Sequence, residues 1–250
     1  MAQIDLTRRT KIVATIGPAT ESPERIRELI QAGATTFRLN FSHGDHSEHA
    51  ERMATIRQVA HELGAHIGIL QDLQGPKIRL GRFEEGPITL AKGDQFALTA
   101  KQVRCNQTVA TVTYDKLAEE VSAGSRILLD DGNLELKVTG VSGPCISTRV
   151  VYGGILIQSK GINLPGIKVS AGCLSRKDLK DLSCVLKNEV DFVALSFVRE
   201  ASDVAELRKH VQRHKGNVQI IAKIERPEAV KNLPAILAES DGLMVARGDM

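Results

Sequence analysis

Lys223, Glu225, Arg247, Gly248 and Asp249 have the types and spacing for phosphate or carboxylate chemistry. An apolar run at 219–224 delivers Lys223 and Glu225, and a second at 242–246 delivers Arg247, Gly248 and Asp249. Two carboxylates beside an ammonium suit a divalent cation holding an anionic substrate, most readily a phosphate. A pair of surface ion pairs at loop starts is the competing explanation.

The elements around these residues decide between the two. Each run has strand length, and the helical pattern between them makes a βαβ unit. In a parallel α/β sheet the strands present their C-terminal ends to one face, where ligands bind. Upstream, residues 11–16 read as a buried strand stopped by Gly17-Pro18. A helix follows, capped by Ser22 with Pro23 in its first turn. A strand at 35–41 breaks into Ser42-His43-Gly44. A helix over about 47–63 carries Met53, Ile56, Val59, Ala60 and Leu63 on one face. Residues 67–73 read as a third buried strand.

From Pro76 to about residue 168 the pattern changes to short β-rich runs cut by Gly, Pro and Asp, the pattern of a small antiparallel barrel. Within it, Asp130-Asp131-Gly132 reads as a hairpin turn rather than a metal loop. The α/β rhythm resumes at a capping box, Ser175 with Asp178. A strand at 192–197 follows, then a helix capped near Ser202 or Asp203. The expected architecture is a (β/α)8 barrel incomplete at six strands, with the β insert after the third strand. The expected domains are 1–75 and 169–250 for the barrel and 76–168 for the insert. Two edge strands and an open core flank would then be exposed.

Composition excludes several classes. Of 250 residues, 42% are hydrophobic and 25% charged, ordinary for a globular chain. A net charge of +3 with 3% aromatics gives no basic, aromatic-laced patch for nucleic acid. Cys105, Cys145, Cys173 and Cys184 have no CxxC spacing and read as reduced thiols. With no targeting signal or membrane-length apolar run, a cytoplasmic, non-membrane protein is expected.

Collected strand by strand, the strand ends offer Gly17-Pro18; Arg38, Asn40, Ser42 and His43; Asp72, with Lys77 and Arg79 beyond; Ser196 and Arg199; Lys223 and Glu225; Arg247 and Asp249. The set is rich in cations and oxygen ligands and poor in nucleophile–base pairs. There is no HExxH motif, and GINLPGIK at 161–168 misses the phosphate-loop spacing. His43, His46 and His49 are spaced for one helix face, yet no carboxylate or cysteine completes a metal site. Ser196 and Arg199 read as strand-end capping groups. An inward-facing Arg38 needs a partner, and an anionic ligand is a reasonable one. The pattern favours anion recognition with a hard metal ion over covalent catalysis.

Six motifs in order carry a resemblance: TKIVATIGP at 10–18, RLNFSHG at 38–44, DLQGPKIR at 72–79, KGINLPG at 160–166, AKIE at 222–225 and ARGD at 246–249. Together they resemble the pyruvate kinase family over essentially the whole chain, the inserted β domain included. The resemblance implies phosphoryl transfer from phosphoenolpyruvate to ADP, giving pyruvate and ATP. It implies Glu225 and Asp249 as ligands of Mg²⁺ or Mn²⁺, and Lys223 against the transferring phosphoryl group. Arg38 would hold the phosphate, and the backbone at Gly248 and Asp249 would receive the substrate carboxylate. Asn40, His43, Arg79 and Lys160 would face the nucleotide, partly from the insert, which closes as a lid in that family. A full-length member would be a homotetramer.

Two departures qualify the likeness. K⁺-requiring members bind the ion at positions that are here Asn40, Ser42, Asp72 and the carbonyl of Leu73. They carry Thr-Lys after the Asp, and Glu where this chain has Lys77. An ammonium there supplies one positive charge, so K⁺ is expected to be dispensable. The family barrel also continues through two more strands and a C-terminal domain, so the chain is expected to be an N-terminal portion of a longer enzyme. Two other functions remain open at this stage. One is a non-catalytic fragment or interaction module, and the other is a metal-dependent aldolase or lyase acting on pyruvate-like substrates.

Overall fold

A computed structural model describes residues 9–167, 169–170, 172–186 and 190–247. In chain order, β1 (Ile12–Ile16), α1 (Pro23–Gln31), β2 (Ala34–Asn40), α2 (His46–Glu62) and β3 (Gly68–Asp72) come first. Next are β4 (Ile88–Leu90), β5 (Gln95–Thr99), β6 (Val109–Thr111), α3 (Leu117–Glu120), β7 (Arg126–Leu129), β8 (Leu134–Ser142), β9 (Cys145–Tyr152), β10 (Gly154–Leu156) and β11 (Ile162–Asn163). The chain ends with α4 (Arg176–Val185), β12 (Phe192–Leu195), α5 (Ala201–Arg213), β13 (Gln219–Ile224), α6 (Pro227–Lys231), α7 (Leu233–Glu239) and β14 (Gly242–Val245). Two compact units result: Lys77–Ala171, and the segments on either side of it.

The first unit holds one sheet in the order β1-β2-β3-β12-β13-β14, every pairing parallel. Strands laid down consecutively, with helices in the connections, are the staves of a (β/α) barrel, not a doubly wound sheet, whose order reverses at a switch point. Strand alternation sorts the side chains. Phe37, Leu39 and Phe41, then Ile69 and Leu73, Val193 and Leu195, and Ile220, Ala222 and Ile224 join one core with Ile26, Ile30, Ile56, Val204 and Leu207 of the helices. The intervening positions, Arg38, Asp72, Ser196 and Lys223, lie on the other face.

Local chemistry fixes the helix starts. Ser22 caps α1 by accepting from the Arg25 N–H at 3.3 Å, with Pro23 at the first position. Asp45 caps α2 in a full capping box with Glu48, so the helix starts at His46, one residue before the expected start. The start of α5 is also earlier than the Ser202 or Asp203 expected: Glu200 is the cap residue and Asp203 lies in the first turn. One helix was expected between β13 and β14, but Asn232 ends α6 and a new helix begins with Pro234 in its first turn. A mid-helix proline removes a hydrogen bond and clashes with the preceding turn.

The first strand departs from the expected burial. Ile12 is 41% and Val13 49% exposed, because β1 is a sheet edge with one neighbour among the described residues. At the opposite edge Val245 of β14 is 62% exposed.

The second unit has its own core, including Ile78, Leu80, Phe96, Leu98, Ile127, Leu129, Leu136, Ile146 and Leu156. Its main sheet runs β11-β7-β8-β9-β5-β6, with a separate β10-β4 pair. The pairings are antiparallel except β5 with β6, which is parallel. A wholly antiparallel insert was expected. The connection from β5 to β6 is long enough to bring the chain back in the same direction, which a tight hairpin cannot do. Residues 130–132 form a 3₁₀ turn joining antiparallel β7 and β8.

Cys105 and Cys173 are buried, and Cys145 and Cys184 half-buried, with no disulfide among them. No helix among the described residues is long and apolar enough to cross a membrane.

Asp178 ties α4 to the turn after β3. It is fully buried; Oδ1 accepts from the Gly75 N–H at 3.1 Å, and Oδ2 from the Ser175 N–H at 2.8 Å. Asp178→Ala strands these donors and should cost about 2–4 kcal/mol in urea unfolding, against about 1 kcal/mol for Ser175→Ala.

Candidate active site

The C-terminal strand ends of the first unit deliver a cluster of four charged side chains and one hydroxyl. β2 contributes Arg38, β3 Asp72 and β13 Lys223, with Ser196 and Glu225 immediately after β12 and β13. Lys223 is at the centre. Its Nζ is 2.8 Å from Glu225 Oε1 and 3.2 Å from Asp72 Oδ1, and donates to Ser196 Oγ at 2.8 Å. All three ammonium protons therefore have acceptors. Ser196 Oγ in turn donates to the Leu73 carbonyl at 2.7 Å.

Arg38 approaches from the other side. Its Nε donates to Asp72 Oδ2 at 2.7 Å, its second terminal nitrogen lies 2.6 Å from the same oxygen, and its first donates to Thr15 Oγ1 at 3.1 Å. Asp72 and Glu225 are almost fully buried, while the Arg38 side chain is 26% exposed. Two buried carboxylates facing two cations leave the cluster formally neutral, the condition under which charges persist away from water.

The backbone around the cluster is tightly constrained. Glu225 Oε2 accepts the Phe197 N–H at 2.8 Å, and Phe197 has φ 58°, unusual for a large side chain. Gly75, with φ 68°, lies so close that a Cβ there would come within 2.8 Å of the Phe197 ring. The Arg226 guanidinium covers that ring at 5.2 Å from its centre.

These groups can bind and polarise an anion. The cluster holds no nucleophile–base pair, since Ser196 accepts from an ammonium and donates to a carbonyl. Glu225 is a hard oxygen donor of the type a divalent cation takes, with Oε1 on Lys223 and Oε2 on the Phe197 N–H in this arrangement. No group of three or more metal-ligating side chains occurs among the described residues. Gly248 and Asp249, expected to complete the metal and carboxylate sites, lie outside the described residues. Arg247 is exposed.

Three of the four candidate monovalent-cation ligands have oxygens already met by protein donors. Asp72 meets Arg38 and Lys223, the Leu73 carbonyl accepts from Ser196, and Asn40 Oδ1 accepts the Ser42 N–H at 3.0 Å. His43 is exposed in the turn after β2, with its N–H on the Asn40 carbonyl at 3.3 Å.

Arg79 and Lys160 adjoin within the second unit. Arg79 bridges Gly161 in an antiparallel pairing, and the Leu80 N–H donates to the Lys160 carbonyl at 2.9 Å. The Lys77 side chain runs beside Gly161, so a Cβ at that glycine would meet Lys77 Cε at 3.1 Å.

Two residues have roles that their sequence context concealed. Ser196, read as a capping group, is a hydrogen-bonding partner of Lys223. A serine at a strand end gives no other signal. His49, grouped with His43 and His46 by spacing, is a core residue. Its ring stacks on Phe41 at 3.8 Å and 12°, and its Nε2 meets the His43 carbonyl at 2.9 Å. His46 instead turns to Asp181, at 2.8 Å. The spacing therefore does not bring three ring nitrogens together. Gly44, with φ 78°, completes the turn; a Cβ there would meet Glu48 Oε2 at 2.6 Å.

Burial holds the His49 pKa below its ordinary value, with Arg52 and Lys177 reinforcing the shift and Asp181 and the His43 carbonyl opposing it. The neutral ring is thus the folded form, and the unfolded chain takes up the proton first. Stability should be complete above pH 6.5 and fall as the pH drops below it. His49→Phe keeps a stacked ring and should flatten that part of the pH profile, read from urea midpoints on either side of pH 6.5.

Residues 7–250 match the family model described as "Pyruvate kinase, barrel domain". The chain is 51% identical over 249 residues to "Pyruvate kinase 2" of Synechocystis sp., covering 98% of this chain and 42% of that protein. It is 49% identical over 246 residues to a pyruvate kinase of Sporosarcina psychrophila, covering 97% of this chain and 42% of that protein. It is 46% identical over 245 residues to one from Mycobacterium intracellulare, covering 98% and 52% respectively. The chain therefore spans roughly half or less of the length of these relatives, and it belongs to the pyruvate kinase family.

Proposed function

We propose that this chain carries the phosphoryl-transfer site of a pyruvate kinase, acting on phosphoenolpyruvate and ADP in glycolysis. The observation that carries the reading is the buried Lys223 ammonium, held between Asp72, Glu225 and Ser196. Its longest contact is to Asp72, so a phosphoryl oxygen can replace that partner at the smallest loss. Lys223 then faces charge that builds on the transferring group, in a site where water screens little. Arg38, more exposed and forked towards Asp72, is assigned to the substrate phosphate.

Glu225 together with Asp249 would hold Mg²⁺ or Mn²⁺, which when bound draws charge from the substrate's carboxylate and enolate oxygens. The Gly248 and Asp249 backbone is assigned to the substrate carboxylate. Asn40, His43, Arg79 and Lys160 are assigned to the nucleotide. The full-length protein is read as a cytoplasmic homotetramer. Lys77 is assigned the charge role that K⁺ fills in other members, with Asn40, Ser42, Asp72 and Leu73 as the corresponding oxygen set.

A second function, a module that keeps the site without turnover, is favoured by one observation: the apolar edges at Ile12, Val13 and Val245 are exposed in the chain. Pyruvate formation from phosphoenolpyruvate, with and without ADP, separates the two. ADP-dependent pyruvate is the expected result; an intact fold without turnover identifies the module, and carbon–carbon cleavage of a keto-acid a lyase. In the active protein Lys223→Met should lower kcat by about 10²-fold or more. Replacing K⁺ by tetramethylammonium at equal ionic strength should leave most of the activity; a drop to background would sink the K⁺ assignment.

A further inference from the structure

The second unit holds Lys160 in an ion pair that its assigned role does not explain. The Lys160 Nζ lies 2.5 Å from Asp130 Oδ1. The pair is only partly open to solvent, with Lys160 at 33% and Asp130 at 19% side-chain exposure. Asp130 starts the 3₁₀ turn between β7 and β8 with φ 52°, a left-handed conformation that aspartate tolerates better than most residues. The backbone holds it there. The Asp130 N–H donates to the Gly161 carbonyl at 3.1 Å, and its own carbonyl accepts the Asn133 N–H at 3.1 Å. Asn133 Nδ2 reaches Asp130 Oδ2 at 3.3 Å.

The two basic residues assigned to the nucleotide are therefore not equivalent. Arg79 donates to the Ser159 carbonyl at 3.0 Å and has no carboxylate partner among the described residues. Lys160 is neutralised within the unit. The hydrogen bond from Lys160 holds the Asp130 carboxyl below the usual carboxylate range, so Asp130 is a carboxylate at neutral pH.

We infer that Asp130 is a positioning residue for Lys160, an internal counter-ion that a nucleoside diphosphate must displace to bind. The pair fixes the long lysine side chain before nucleotide arrives. It also sets a threshold, because phosphate oxygens must compete with a carboxylate already in contact. This inference rests on the reading of Lys160 as a nucleotide-binding residue.

Asp130→Asn is the informative variant, since asparagine keeps the shape and tolerates the same backbone. Equilibrium binding of ADP, measured by calorimetry, should tighten by about fivefold, with KM for phosphoenolpyruvate unchanged. Adenosine, which lacks the phosphates, should bind the two proteins equally. Lys160→Met should weaken ADP binding, and adding Asp130→Asn to it should change nothing more, because the coupling partner is gone. Thermal unfolding of each variant reports whether the turn is intact. Unchanged or weaker ADP binding by an intact Asp130→Asn, when Lys160→Met does weaken it, overturns the counter-ion role alone. Unchanged ADP binding by Lys160→Met overturns the nucleotide assignment of Lys160 and the inference with it.

Discussion

A buried ammonium needs one acceptor for each proton and compensating negative charge, and the strand ends of the first unit meet both needs at Lys223. Asp72 and Glu225 supply the charge, and Ser196 takes the remaining proton. The three partners come from three strand ends, so the cluster exists only if β3, β12 and β13 lie side by side in register. The parallel pairings of Ala194 with Asp72 and of Leu195 with Ala222 provide that register. A slip of one residue would turn Lys223 into the helix layer and bring Ile224 to the charged face. The site and the sheet order are in that sense one constraint.

The surrounding loops obey the same geometry. Phe197 adopts a strained backbone that aims its N–H at Glu225, and Gly75 leaves room for its ring. Asp178 holds the Gly75 turn from the helix side. Strain at Phe197 is thus offset by contacts that reach into the packed core, where conformational alternatives are few.

Much of this was legible in the residues. The six barrel strands, the Ser22 cap, the Ser175–Asp178 capping box and the β-rich insert follow from periodicity and turn chemistry, which act over a few residues. A partner for Arg38 was foreseeable, because a charged side chain on an inward position requires one, but the expected partner was an anionic ligand and the structure supplies a carboxylate. That the partner is Asp72, 34 residues away, depends on the β2–β3 register, which no local pattern encodes. Ser196 was hidden for the same reason. Helical spacing places side chains on a face without fixing their χ angles, and for His49 aromatic stacking on Phe41 fixed them. The exposure of β1 is also a pairing property, since IVATI has the composition of a buried strand and lacks a second neighbour among the described residues.

The distribution of thiols has a practical consequence. Cys105 and Cys173 are closed off, and burial pushes the Cys173 thiol well above its ordinary pKa, so neither presents a ready thiolate. The half-buried pair divides between the units, Cys145 in β9 and Cys184 in α4. Maleimide chemistry can therefore place a reporter on each unit of the unmutated chain.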